Sequence, residues 1–164
     1  MIAQQNPDAN GNAWFVKNIN SVQTADQEIR ALDSTQTKNI AIVNENNIYK
    51  KINFSLEVDS LAYIKLTEYS LNSLTYETSS KFDEFSVFSE IYYKNGWKSY
   101  IDGELQPYTN VNYVLRGMEI PKGEHIIKFK FEPSVIKTGS IISLISYALM
   151  VLIPISWFFY YKKK

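Results

Sequence analysis

From Thr138 to Tyr161 the chain carries no charged side chain, and it then ends in Lys162-Lys163-Lys164. These 24 residues would form a helix roughly 36 Å long. The hydrocarbon core of a bilayer is about 30 Å thick, so the segment can cross it with some tilt. Trp157, Phe158, Phe159, Tyr160 and Tyr161 supply an aromatic belt next to the lysines, as at a membrane–water interface. Buried helices of water-soluble domains are usually shorter and seldom end in a basic cluster. Positive residues flanking a span stay in the cytoplasm, and three terminal lysines outvote Lys137 at the other end. The pattern predicts an extracytoplasmic domain over 1–137, a membrane span over 138–161 and a cytoplasmic basic tail over 162–164.

This orientation conflicts with the start of the chain. Met1 to Asp8 has neither the basic start nor the apolar core of a signal peptide. The expectation is therefore a tail of a longer protein, N-terminally incomplete, whose earlier spans deliver the domain across the membrane. The alternative is a freestanding tail-anchored protein with its β-domain in the cytosol.

The segment before the span is long enough for one domain with its own core. With the tail lysines set aside, 14 basic residues face 17 acidic ones, which excludes a basic footprint for nucleic acid. There is no cysteine, so neither a disulfide nor a thiolate metal site can form. An aromatic content of 15% suits strands.

After a lead-in containing Asn6, Pro7 and Gly11, Ala13–Val16 reads as a short strand. Thr24 and Gln27 have the spacing of a capping box, which predicts a helix over Ala25–Leu32. Ile40–Val43 reads as a strand. From Leu61 the apolar residues recur every second position, in Ala62-Ile64-Leu66, Leu74-Tyr76, Phe85-Val87, Trp97-Ser99-Ile101, Val111-Tyr113-Leu115 and Ile127-Phe129-Phe131. Such alternation marks half-buried antiparallel strands. Asp102-Gly103 predicts a hairpin between Trp97–Ile101 and Glu104–Tyr108. Asn72-Ser73 and Pro121-Lys122-Gly123 mark further turns. Ser134–Lys137 reads as a link, and Pro154 as a place for a kink in the span. The fold expected is mainly β: an antiparallel β-sandwich, Ig- or jelly-roll-like, with one short helix, followed by a single C-terminal transmembrane helix.

No constellation for catalysis emerges, and no cofactor is implied. His125 is the one histidine and reads as a surface or packing residue; no metal-ligand spacing includes it. Asp83 and Glu84 read as solvated turn carboxylates. Phosphate-binding glycine loops and nucleophile elbows are missing, so an enzyme complete in itself is the weakest reading. Tyr92, Tyr93, Trp97 and Tyr100 could stack on sugar faces or sit in a membrane interface. Glu90, Asp102 and Arg116 could add polar contacts nearby, or Arg116 and Glu90 could form a cross-strand ion pair.

Four stretches taken in order resemble one family. They are Phe88-Ser89-Glu90-Ile91-Tyr92-Tyr93; Gly96-Trp97-Lys98-Ser99-Tyr100-Ile101-Asp102-Gly103; Asn112-Tyr113-Val114-Leu115-Arg116-Gly117; and Pro121 through Pro133. They are similar to the C-terminal region of the YfhO family of bacterial membrane proteins, and Gly11-Asn12-Ala13-Trp14-Phe15-Val16 is similar to a segment upstream in it. The resemblance implies a large polytopic protein of the bacterial cytoplasmic membrane. Such proteins are like C-type glycosyltransferases, which move sugars from lipid-phosphate carriers to cell-envelope glycans. Their expected catalytic loop lies outside this chain, so no catalytic residue transfers to it. What remains is the last extracytoplasmic domain and final span. The implied partners are the bilayer, upstream spans, and a glycan or lipid-linked sugar; the residues themselves, not the resemblance, offer Tyr92, Tyr93, Trp97 and Arg116 as its contacts.

Overall fold

A computed structural model describes residues 9–47 and 59–163. Asn6 and Pro7 of the lead-in, and Lys164 of the tail, lie outside the described residues. The chain divides into two units, 1–131 and 132–164.

The first unit is built on two antiparallel sheets. One has the order β1-β6-β10-β9, from Ala13–Val16 (β1), Glu84–Ile91 (β6), Leu115–Ile120 (β10) and Thr109–Val111 (β9). The other has the order β4-β5-β11-β7-β8, from Tyr63–Ser70 (β4), Ser73–Ser80 (β5), Gly123–Phe131 (β11), Trp97–Ile101 (β7) and Glu104–Gln106 (β8). Leu74, Tyr76, Ile101, Ile127 and Phe129 of the five-stranded sheet pack against Phe88, Met118 and Ile120 of the four-stranded one. Tyr76, Phe88 and Phe129 meet edge to face, with ring centroids 4.9–6.2 Å apart. The expected sandwich is present.

Its turns follow from local chemistry. Asp102 (φ 51°) and Gly103 (φ 90°) both take positive φ, as a tight hairpin between β7 and β8 requires. Leu71-Asn72 closes the β4–β5 hairpin, where Ser70 faces Ser73. Thr24 caps the helix α1 (Ala25–Leu32): its hydroxyl accepts from the Gln27 amide at 3.2 Å, and the Gln27 side chain accepts from the Thr24 amide, also at 3.2 Å.

Three expectations need correction. Asn18–Val22 forms an unforeseen strand, β2, which pairs in parallel with β3 (Ile40–Asn44). With α1 between them they make a small βαβ unit, and it forms a third layer. Ala41 and Val43 of β3 pack on Val16, Phe85, Val87 and Val111 of the four-stranded sheet. That sheet is therefore covered on both faces, and residues 84–88 of β6 are buried without alternation. Second, Val111–Leu115 is not one strand. Asn112 (φ 49°) and Tyr113 (φ 70°) turn the chain between β9 and β10. The Asn112 carboxamide accepts from the Ile42 amide at 2.8 Å, and the Asn112 amide donates to the Ile42 carbonyl at 2.8 Å, tying the turn to β3. The buried Glu28 of α1 accepts from the Tyr113 amide at 2.8 Å. Third, Glu84 is buried and accepts from the Ser80 hydroxyl at 3.0 Å, and burial raises its pKa; Asp83 is exposed, as expected.

The second unit is one helix, α2 (Ser134–Lys162), long and apolar enough to cross a membrane. It takes in Ser134–Lys137, expected as a link, and continues through Pro154. None of its described residues is buried. Ser146 and Thr138 donate their hydroxyls to the carbonyls of Ile142 (2.9 Å) and Ser134 (3.2 Å), so these polar groups are satisfied within the helix.

Candidate functional site

Trp97 opens β7 directly after the β6–β7 loop, residues 92–96, and Tyr108 lies between β8 and β9. With Tyr92 they wall a cleft of about 360 Å³, completed by Leu105, Pro107, Gln106, Lys94, Lys98 and Ser99. This volume is at the lower end of the range for small-molecule sites. The rings of Tyr92 and Tyr108 stand 5.3 Å apart at a steep angle. The Tyr108 hydroxyl donates toward the carbonyls of Tyr93 (3.1 Å) and Trp97 (3.3 Å), which fixes the loop against the cleft wall. Burial raises the Tyr108 pKa, so the phenol stays protonated near neutrality.

Arg116 is buried, only 2% exposed. Its guanidinium carbon lies 4.4 Å from the centre of the Trp97 ring, 5.1 Å from Phe129 and 6.0 Å from Tyr108. A bulge puts it there: Leu115 faces Ile91 but Arg116 faces Phe88, so Ser89 and Glu90 are extra residues on β6. Arg116 Nε donates to the Ile91 carbonyl at 3.0 Å across that bulge. Nη1 is buried with no hydrogen-bond partner. The cross-strand ion pair with Glu90 does not form; stacking on Trp97 takes its place. Burial pulls the Arg116 pKa down, while Tyr108, Glu90 and Tyr76 oppose the shift.

Of the four residues singled out from sequence, Tyr92 and Trp97 line the cleft. Tyr93 is exposed and contributes its carbonyl. Arg116 lies behind the wall, against Trp97. In the sequence Tyr108 only ends a hairpin arm, yet in the structure it is the residue that joins Tyr92, Tyr93 and Trp97. The proline before it, which ends β8, was the signal available.

Asp102 belongs elsewhere, at the far end of β7 from Trp97. His125 Nδ1 meets Asp102 Oδ2 at 2.6 Å and Nε2 meets the Lys122 carbonyl at 3.2 Å. Asp102 Oδ1 also accepts from the Ile126 amide at 2.8 Å. Two acceptors on one ring favour the imidazolium. Burial opposes that charge, but Asp102 and the Lys122 carbonyl outweigh it, and the His125 pKa is raised. The pair staples a turn and leaves no free base. Among the described residues no group of three or more His, Cys, Asp or Glu is placed to hold a metal ion. The cleft presents the aromatic faces of Tyr92, Trp97 and Tyr108 beside the polar Gln106 and Ser99.

A family model described as bacterial membrane protein YfhO matches residues 4–143. A protein of Bacillus subtilis (strain 168), named uncharacterized protein YfhO, is 27% identical over 116 residues, which is 71% of this chain and 13% of that protein. The chain thus spans about an eighth of that relative's length. No solved structure matches.

Proposed function

This chain belongs to the YfhO family of bacterial membrane proteins, and from that premise we propose that its β-domain is an extracytoplasmic recognition module held at the membrane by α2. In this reading the module binds a glycan or lipid-linked sugar for a longer polytopic protein that transfers sugars to the cell envelope. The cleft walled by Tyr92, Trp97 and Tyr108 carries the proposal. Flat aromatic walls suit the apolar face of a sugar ring, and Lys94, Lys98 and Gln106 at its lining can address hydroxyls or an anionic substituent. Arg116 acts as a positioning residue, holding the Trp97 plane from behind. The terminal lysines support a cytoplasmic C-terminus and hence an outward-facing domain.

The binding test is a titration of the chain in nanodiscs with cell-envelope oligosaccharides, read by tryptophan fluorescence and by isothermal calorimetry. Trp97→Ala is expected to abolish the response while far-UV circular dichroism stays unchanged. Equal binding by Trp97→Ala would remove the cleft from the proposal. Sidedness is tested separately, by protease added to intact spheroplasts expressing the chain within its full-length protein. Cleavage of the β-domain before lysis supports the outward orientation; protection until lysis supports the cytosolic alternative.

A further inference from the structure

The two ends of the sandwich carry different turns. One end carries the turns at residues 81–83, 102–103 and 121–122, with Asp83, Asp102, Glu104 and Lys122 at or beside them. The other end carries the β4–β5 turn and the β6–β7 loop. There Leu71 is 92% exposed, Ile91 71%, Tyr69 68% and Tyr93 52%. No charged residue occurs from Tyr69 to Tyr76. Leu61, Ile126 and Tyr63 are also exposed, toward the first end, and Lys94 lies in the loop of the second. Exposed apolar side chains call for a partner, and the second end is the one where the chain leaves the domain.

The chain itself says what lies nearby. β11 leaves the domain at this second end, and the Phe131 amide donates to the Asn72 carbonyl at 2.9 Å, so the Leu71-Asn72 turn is tied to the exit residue. Only Glu132 and Pro133 separate Phe131 from α2. Three residue steps cover at most about 11 Å. Four helical residues, from Ser134 to Thr138 where the uncharged run starts, add about 6 Å. Whatever angle the link adopts, Phe131 stays within about 17 Å of the first residue of that run. The headgroup layer occupies roughly 5–8 Å of this on each side of a bilayer. Tyrosine favours that layer, with its ring in the apolar boundary and its hydroxyl in water.

We infer that this end of the domain is an interfacial anchor, in which Tyr69, Leu71 and Tyr93 seat in the headgroup layer of a lipid bilayer. The inference rests on the reading that α2 spans a membrane, and it adds a second attachment beside the span. The Trp97–Tyr108 cleft, formed by the same β6–β7 loop, is then held close to the lipid surface.

The chain has no cysteine, so single probes can be placed cleanly. Leu71→Cys, Ser146→Cys and Lys122→Cys are each labelled with an environment-sensitive dye in the full chain, reconstituted in phosphatidylcholine vesicles. Quenching is read with spin labels at the headgroup or at mid-chain. The expected result is loss of most dye signal at position 71 with the headgroup label, loss at 146 with the mid-chain label, and none at 122. Quenching at 146 with position 71 no more quenched than 122 overturns the anchor and leaves the span intact. No quenching at 146 overturns the span, and the anchor with it.

Discussion

Replacing Arg116 with methionine would separate its contribution to stability from its contribution to the cleft. The Nε bond to the Ile91 carbonyl is a charge-assisted contact of about 1.5–3 kcal/mol. Stacking on Trp97 at 4.4 Å adds about 2 kcal/mol in a dry site. Against these stand the buried, unpartnered Nη1, which costs about 1–3 kcal/mol, and the desolvation of a full charge, which costs several more. Among the described residues no carboxylate forms an ion pair with the guanidinium to offset that cost. The two sides nearly cancel. Methionine keeps an unbranched chain against Trp97 and Phe129 and removes both penalties, so Arg116→Met should lie within about 1.5 kcal/mol of wild type. Arg116→Ala adds a cavity between the sheets and should cost about 2–5 kcal/mol. Urea denaturation in detergent, followed by far-UV circular dichroism at constant m-value, measures both. A loss above about 3 kcal/mol for Arg116→Met would refute the reasoning, because only a compensated buried charge is that costly to remove.

Gly117→Ala should destabilise by at least about 1–3 kcal/mol, since its Cβ would fall 2.6 Å from Val111 Cγ1 and 2.7 Å from Phe85 Cζ; thermal denaturation would show it, and an unchanged midpoint would contradict the packing described. The His125–Asp102 staple makes stability pH-dependent. The folded-state pKa of His125 is raised above 6.5, so its contribution is complete below pH 6.5 and is lost as pH rises through the raised value. His125→Ala should therefore lower the melting temperature more at pH 6 than at pH 8.5, by an amount worth about 1 kcal/mol or less because Asp102 is half exposed. Tyr76→Phe removes a buried hydroxyl that has no hydrogen-bond partner, and should leave stability unchanged or raise it by about 1 kcal/mol in the same urea assay.

Most of the β-framework was legible because its signals are local. The Thr24–Gln27 box, the Asp102-Gly103 turn and the Ile127-Phe129-Phe131 alternation each act within a few residues, and each element formed where expected. What was not legible depends on distant partners. Asn18–Val22 has little apolar content and becomes a strand by pairing with Ile40–Asn44 across α1. β6 loses its alternation because a third layer covers it. Asn112 and Tyr113 turn sharply because Ile42 and Glu28 hold them. The same division runs through the candidate site. Tyr92 and Trp97 are recognisable as aromatics beside a loop. That Arg116 turns inward depends on a two-residue bulge in β6, and that Tyr108 closes the wall depends on carbonyls 11 and 15 positions away.

The place of β11 in the five-stranded sheet bears on how the protein is made. It is the last of the described strands in chain order, yet it lies in the middle of its sheet, between β5 and β7. Until it emerges, β4–β5 and β7–β8 are two separate hairpins, each with an open edge. When it does emerge, the next segment behind it is already α2. Completion of the domain and delivery of the helix are therefore nearly simultaneous in biosynthesis. The nascent chain must keep two unpaired edges from aggregating until β11 is in production.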